Sequence, residues 1–198
     1  MSVTVSEPTQ APPLLLRRAH VTETHALAAL VNSAYRGESS KAGWTTEADL
    51  LGGQRTDPES LREVLGQTGI DAPVVLVSED DAGLACCVHL EPLPGQAAYL
   101  GMLTVRPGGQ ARGLGRRLLA AAEQWAAGHW GTREIRMTVI AQRTELIEWY
   151  ERRGYRATGE TRPFPYGDER FGQPRRPDLH FRVFSRRLEG LHATHEGP

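Results

Sequence analysis

Residues 99–155 constrain this chain more tightly than any other stretch. An apolar run at 99–105 has strand character and leads into Arg106-Pro107-Gly108-Gly109. Gln110-Ala111-Arg112-Gly113-Leu114-Gly115 follows, and then an alanine- and leucine-rich stretch with helical spacing. A second strand is expected at 135–140, then a helix over 144–153 with Gly154 as its stop. A strand, a glycine-rich turn and a helix start together make a site for an anion. Free backbone N–H groups point outward there, and the helix dipole favours negative charge. Arg112, Arg116 and Arg117 crowd the same helix start. Cations oppose the dipole at that end, so a docked anion explains their placement better than a plain surface helix does.

Two familiar phosphate sites are excluded. No Gly-Lys-Ser/Thr follows, so this is not a P-loop. Residue 118 is Leu where the third glycine of a dinucleotide fingerprint would fall.

The rest of the chain supplies a frame for this unit. A first strand is expected at 14–19 and a helix at 25–35, where Leu27, Leu30, Val31 and Ala34 recur at helical spacing. Asp57 and Pro58 open another helix as N-cap and first residue, ending near Gly66. Residues 74–77 and 84–90 read as strands joined by a hairpin at 79–83. The helix after Gly113 presents Leu114, Leu118, Ala122 and Trp125 on one stripe and is expected to stop at Gly128. The last strands are expected at 155–160 and 179–187, with a proline-rich loop over 161–178 between them. Hairpins flanking a β-α-β-α segment predict an α/β (α+β) fold, one mixed sheet with helices on both faces. Residues 14–188 form a single domain in this reading, with 1–13 a flexible leader and 189–198 a flexible tail.

Charge and cysteine usage narrow the partners. The net charge is −1, which offers no bulk attraction for nucleic acid. Lys41 is the only lysine, so 22 of the 23 basic residues are arginine, the side chain suited to bidentate binding of phosphate and carboxylate. No apolar run approaches the roughly 20 residues that span a bilayer, and no signal peptide is visible, so a cytoplasmic location and no membrane partner are expected. Cys86 and Cys87 are adjacent in a strand, point to opposite faces and read as free apolar fillers. The histidines show no metal-ligand spacing with one another or with the cysteines, so no metal is expected.

The motif at 110–115 resembles the Gln/Arg-x-x-Gly-x-Gly/Ala signature of the GNAT superfamily of N-acetyltransferases. Residues 144–155 are similar to that family's following helix, which ends in a tyrosine, a few polar residues and Gly-Phe/Tyr; here these are Tyr150, Gly154 and Tyr155. The resemblance is strong over 98–155, and the element order extends it to 14–187. It implies a mostly antiparallel sheet of six to seven strands and acetyl-CoA as donor. It further implies that the backbone of Gln110, Ala111, Arg112, Gly113, Leu114, Gly115 and Arg116 cradles the pyrophosphate. Leu103, Thr104 and Val105 would pair with the pantetheine arm along a splayed strand. Many members have Asn near the start of the second helix; this chain has Arg143, which could reach pantetheine or phosphate.

The resemblance also implies that Tyr150 protonates the departing thiolate. A phenol of ordinary pKa about 10 can do so for a thiol near 8.5 when positioning offsets the mismatch. Histone-modifying relatives carry a Glu eleven residues before the motif, and here that position is Tyr99. Glu91, Glu47, Asp168 and ordered water are the alternatives for the base, with Glu91 taken as candidate. Ala85, Cys87, His89 and Glu91 share one strand face, so His89 and Glu91 would line the cleft together. Tyr35, Trp44, Glu47 and Tyr99 are the candidate acceptor residues; the stretch at 36–55, with Arg55, offers an aromatic and a charge pair for a small polar amine or acid. The proline-rich loop either closes the opposite side or forms a homodimer contact. The expected reaction is acetyl transfer to a primary amine of a small molecule or peptide by direct attack in a ternary complex. The alternative is an acyl-CoA-binding sensor that keeps the fold without turnover.

Overall fold

The computed structural model describes residues 14–40, 46–108 and 113–189. Part of the glycine motif, Gln110, Ala111 and Arg112, and the candidate acceptor residue Trp44 lie outside the described residues.

The elements in order are β1 (Arg17–Arg18), α1 (Thr24–Tyr35), α2 (Gly37–Ser40), β2 (Leu51–Gly52), α3 (Pro58–Leu65), β3 (Val74–Asp80) and β4 (Gly83–Leu93). Then come β5 (Ala97–Val105), α4 (Leu114–Trp130), β6 (Glu134–Ile140), α5 (Thr144–Glu151), β7 (Arg156–Pro163), β8 (Gln173–Pro174) and β9 (His180–Arg187). Seven strands form one sheet in the order β1-β3-β4-β5-β6-β9-β7, and β2 pairs with β8. Among the described residues only β5 and β6 run parallel; the other strand pairs are antiparallel. This matches the mixed, mostly antiparallel sheet expected from the sequence.

Local chemistry sets the element ends. Asp57 caps α3 by accepting from the backbone N–H groups of Glu59 and Ser60, with Pro58 at the first position as expected. Helix α4 runs past the expected stop at Gly128 and ends at Gly131, which adopts φ +63° and terminates it as a left-handed cap. Gly128 has open space at its Cβ position, so the sequence signal there was a helical glycine rather than a cap. The first strand is shorter than expected, with only Arg17 and Arg18 in register with β3. β7 runs on to Pro163, into the stretch expected to be loop.

Two apolar layers sandwich the sheet. On one face Leu118, Leu119 and Ala122 of α4 and Leu146, Ile147 and Tyr150 of α5 pack on Cys86, Val88, Leu100 and Met137. On the other, Leu27, Leu30, Val31 and Ala34 of α1 pack with Leu61 on Val75, Val77 and Cys87. Cys86 and Cys87 thus face opposite layers, and both are free thiols.

Candidate active site

The site begins where the sheet comes apart. Register between β5 and β6 covers only Ala97–Glu134, Ala98–Ile135 and Tyr99–Arg136; beyond these pairs the parallel strands separate. A one-residue shift against β4 falls between Cys87 and His89, where Val88 faces Met102 and Leu103, and Met102 takes φ +51°. Such a bulge bends a strand and increases its twist, which drives β5 away from β6. Tyr99 closes the base of the opening, its hydroxyl 3.1 Å from the Thr138 hydroxyl of β6. Gly101 makes room for this: a Cβ there would lie 2.8 Å from the Tyr99 ring.

A cavity of about 330 Å³ fills the opening. Tyr150 of α5 and Leu103 of β5 line it from the sheet side, and Tyr35, Glu47, Arg55 and Phe164 line it from the loops. Tyr150 is buried, stacks edge-to-face on Tyr155 at 5.6 Å, and its hydroxyl makes no hydrogen bond among the described residues. Burial raises the Tyr150 pKa well above that of a free phenol, so it holds its proton at neutral pH. Tyr35 is also pushed up, to about 12, chiefly by burial, and donates 2.9 Å to the Leu103 carbonyl.

The charged wall is ordered. Glu47 accepts from Arg36 and, at 2.8 Å, from Arg143. All three side chains are almost fully buried. Although burial alone would raise it, the Glu47 pKa is held below the ordinary carboxylate value by Arg143, Arg36 and Arg55. The Arg55 and Arg143 guanidinium groups lie 5.6 and 5.7 Å from the Tyr35 ring centre, within cation–π range.

The sequence-derived site residues therefore divide. Tyr35, Glu47, Tyr99, Leu103, Arg143 and Tyr150 come together around one cavity. Thr104 and Val105 continue β5 with both side chains buried, and Thr104 donates to the Met102 carbonyl within the bulge. Arg143 faces Glu47 and Tyr35 at the start of α5. Glu91 stands apart: it is exposed, opposite Tyr99 in the β4–β5 register, and lines a neighbouring depression. His89 is not beside it in that depression but in a small pocket with Arg55 and Met102. Burial and the nearby Arg55 charge lower the His89 pKa to about 4, so its ring is neutral. Arg36, Thr138 and Gly101 are site residues that the sequence reasoning missed. Arg36 alone left a signal, as a lone arginine directly after an apolar helix.

The start of α4 is suited to an anion. Gly113 adopts φ +68° as its N-cap, no side chain caps the helix, and its first turn contains no acidic residue. Gly115 is buried while Arg116 is exposed beside it. Among the described residues no group of three or more His, Cys, Asp or Glu could hold a metal ion. No described helix is long and apolar enough to cross a membrane.

Comparison with known proteins decides the family. The model of the acetyltransferase (GNAT) family matches residues 43–155. The chain belongs to the GNAT family of acetyltransferases. Its fold is shared by a ribosomal-protein-alanine N-acetyltransferase from Brucella melitensis, with 23% identity, a TM-score of 0.62, and coverage of 88% of this chain and 100% of that one. A spermidine N-acetyltransferase chimera from Vibrio cholerae has 16% identity, a TM-score of 0.61, and coverage of 89% and 96%. A protein assigned as a streptothricin acetyltransferase from Bacillus anthracis, solved with acetyl coenzyme A, has 17% identity, a TM-score of 0.51, and coverage of 64% and 67%. No curated protein sequence matches the chain significantly. Acyl transfer is thus the reaction class of this family member, and acetyl-CoA is a donor that a structural relative binds.

Proposed function

We propose that the protein acetylates a primary amine of a small molecule or peptide, taking the acetyl group from acetyl-CoA by direct attack in the cytoplasm. The observation that carries this reading is the meeting of Tyr150 with the part of β5 that has separated from β6 in one cavity. The uncapped start of α4, with Arg112, Arg116 and Arg117, takes the pyrophosphate, using the backbone from Gln110 to Arg116. The pantetheine arm runs along β5 at Leu103, Thr104 and Val105, past the last register pair that β5 makes with β6.

The acceptor nitrogen attacks the thioester carbonyl carbon, the carbon–sulfur bond breaks, and the departing thiolate takes the Tyr150 proton. Burial keeps the phenol protonated until the thiolate forms, and because it also widens the pKa mismatch, transfer relies on positioning and on the charge developing on sulfur; among the described residues its hydroxyl has no competing partner. The amine gives its proton to water, which passes it past Tyr99 toward Glu91; the depression at Glu91 shares Tyr99, Met137 and Thr138 with the cavity. Glu47 is a poor base, because the arginines lower its proton affinity and occupy both of its oxygens.

The test is Tyr150→Phe, assayed by CoA release with a panel of amines. A general acid contributes about 10²- to 10⁴-fold, so kcat falls by that order while the KM for acetyl-CoA stays within about twofold. Unchanged kcat removes Tyr150 from the chemistry. Tight acetyl-CoA binding by the unmodified protein without turnover of any amine supports the sensor alternative instead.

A further inference from the structure

The geometry points to an acceptor that carries its own negative charge: an amine bearing a carboxylate or similar oxyanion a few bonds away, as in a free amino acid, with Arg55 as the residue that selects it. This rests on the acetyltransferase reading above and names the substrate class for the same cavity. Four arginines and one carboxylate line the cavity among the described residues: Arg36, Arg55, Arg143, Arg162 and Glu47. Arg162 stands at the rim and is paired with Glu160 at 2.8 Å. Glu47 is a single carboxylate facing two arginine charges. Arg55 is half-buried and has no ion pair among the described residues; its charge lies 5.6 Å from the Tyr35 ring centre and close enough to His89 to lower that residue's pKa. Among the described residues the inner wall therefore carries more arginine than carboxylate charge, and Tyr35, Tyr150 and His89 are all neutral beside it.

A polyamine would bring further positive charge against this wall. An oxyanion would meet a planar guanidinium fork of matching geometry. It would leave the amino group free to point along the cavity toward Tyr150. Arg55 is also placed for the task by its neighbours. Its backbone N–H donates to the Asn32 side chain at 2.6 Å, tying the residue to α1 rather than leaving it on a loose loop.

The experiment compares kcat/KM for free amino acids, the same amino acids as carboxamides, and spermidine, in the unmodified protein and in Arg55→Gln and Arg55→Lys. A charge-assisted contact predicts that the free acids exceed their amides by about tenfold to a hundredfold. It also predicts that Arg55→Gln erases most of that ratio through the acceptor KM and that Arg55→Lys restores part of it. The KM for acetyl-CoA should not move in either variant. Amides or spermidine turned over as well as the free acids would overturn the charge selection and leave the acetyltransferase reading intact. A preserved acid-to-amide ratio in Arg55→Gln would overturn the role of Arg55. Failure of every amine to accept acetyl overturns both readings together.

Discussion

Arg143, which precedes α5, donates to Glu47 at 2.8 Å across 96 positions of sequence. Arg36 grips the second carboxylate oxygen, so one acid ties the end of α1 to the start of α5 across the cavity. The same contact fixes the helix that carries Tyr150 relative to the charged wall of the cavity. All three charged groups are nearly excluded from water, and removing one partner of such a pair strands the others. Glu47→Gln should therefore lower unfolding stability by about 3–5 kcal/mol. Urea denaturation measures it, and a loss below about 1 kcal/mol would show that the arginines relax to other partners.

Acid should weaken the fold, with Glu23 and Glu47 among the carboxylates responsible. Glu23 is lowered from 4.5 to about 2, chiefly by its hydrogen bond from Arg17, and Glu47 is lowered by its arginines. Groups with depressed folded pKa values bind protons more readily in the unfolded chain, so their stabilisation is full above about pH 4.5 and is lost as pH falls toward 2. Glu123 has the opposite sign: burial raises its pKa, so its contribution declines as pH rises through the window above 4.5. Stability measured from pH 7 down to 3 should fall below 4.5, and Glu23→Gln should flatten that fall. An unaltered acid limb in the variant would remove Glu23 as a source.

Much of this was legible in the sequence because it was local. The Asp57-Pro58 start of α3, the hairpin before Gly83, the opposite facing of Cys86 and Cys87, and the stripe on α4 all follow from spacing within one element. Tyr150 and Tyr35, which the structure brings to one cavity, were singled out in the sequence, the first from a motif and the second from its position before a long connection. What was not legible depends on contacts remote in sequence. Arg36 is a site residue only because Glu47 and Phe171 reach it. The parting of β5 from β6 depends on a bulge at Met102, a residue with no turn-forming chemistry that would announce a positive φ. Glu91 and His89, two residues apart on β4, line different recesses because the bulge and the exposed strand end separate their surroundings.

A second buried polar cluster holds the far side of the helices. Tyr155 donates to Glu123 at 2.8 Å, and Arg186 donates to both oxygens of the same carboxylate at 2.9 and 2.8 Å. Tyr155 is fully buried and its ring contacts Tyr150, so this cluster backs the proposed acid. Tyr155→Phe keeps the ring and removes only the donor. Hydrogen bonds to charged groups contribute about 1.5–3 kcal/mol, and a loss of that size is expected in chemical denaturation. In a cycle with Glu123→Gln the two losses should be strongly non-additive; simple additivity would mean that the hydroxyl and the carboxylate stabilise the fold independently.

The loop over the charged wall depends on Gly172. Its backbone sits at φ +89° and ψ −179°, a region open essentially to glycine alone. A Cβ there would also lie 2.7 Å from the Gly52 carbonyl oxygen and 3.2 Å from the Arg36 guanidinium. The carbonyl is backbone, held by the pairing of β2 with β8, and cannot yield as a side-chain tip would. Gly172→Ala should therefore cost about 1–3 kcal/mol from backbone conformation and more from the clash. The displaced loop would loosen Arg36 against Glu47 and raise the acceptor KM more than the acetyl-CoA KM. Gly167→Ala provides the comparison, since Gly167 shares φ +89° but has nothing within 4 Å of its Cβ position. Equal stability losses and equal acceptor KM values in the two variants would show that only the backbone angle matters and that the packing of the loop on Arg36 does not reach the site.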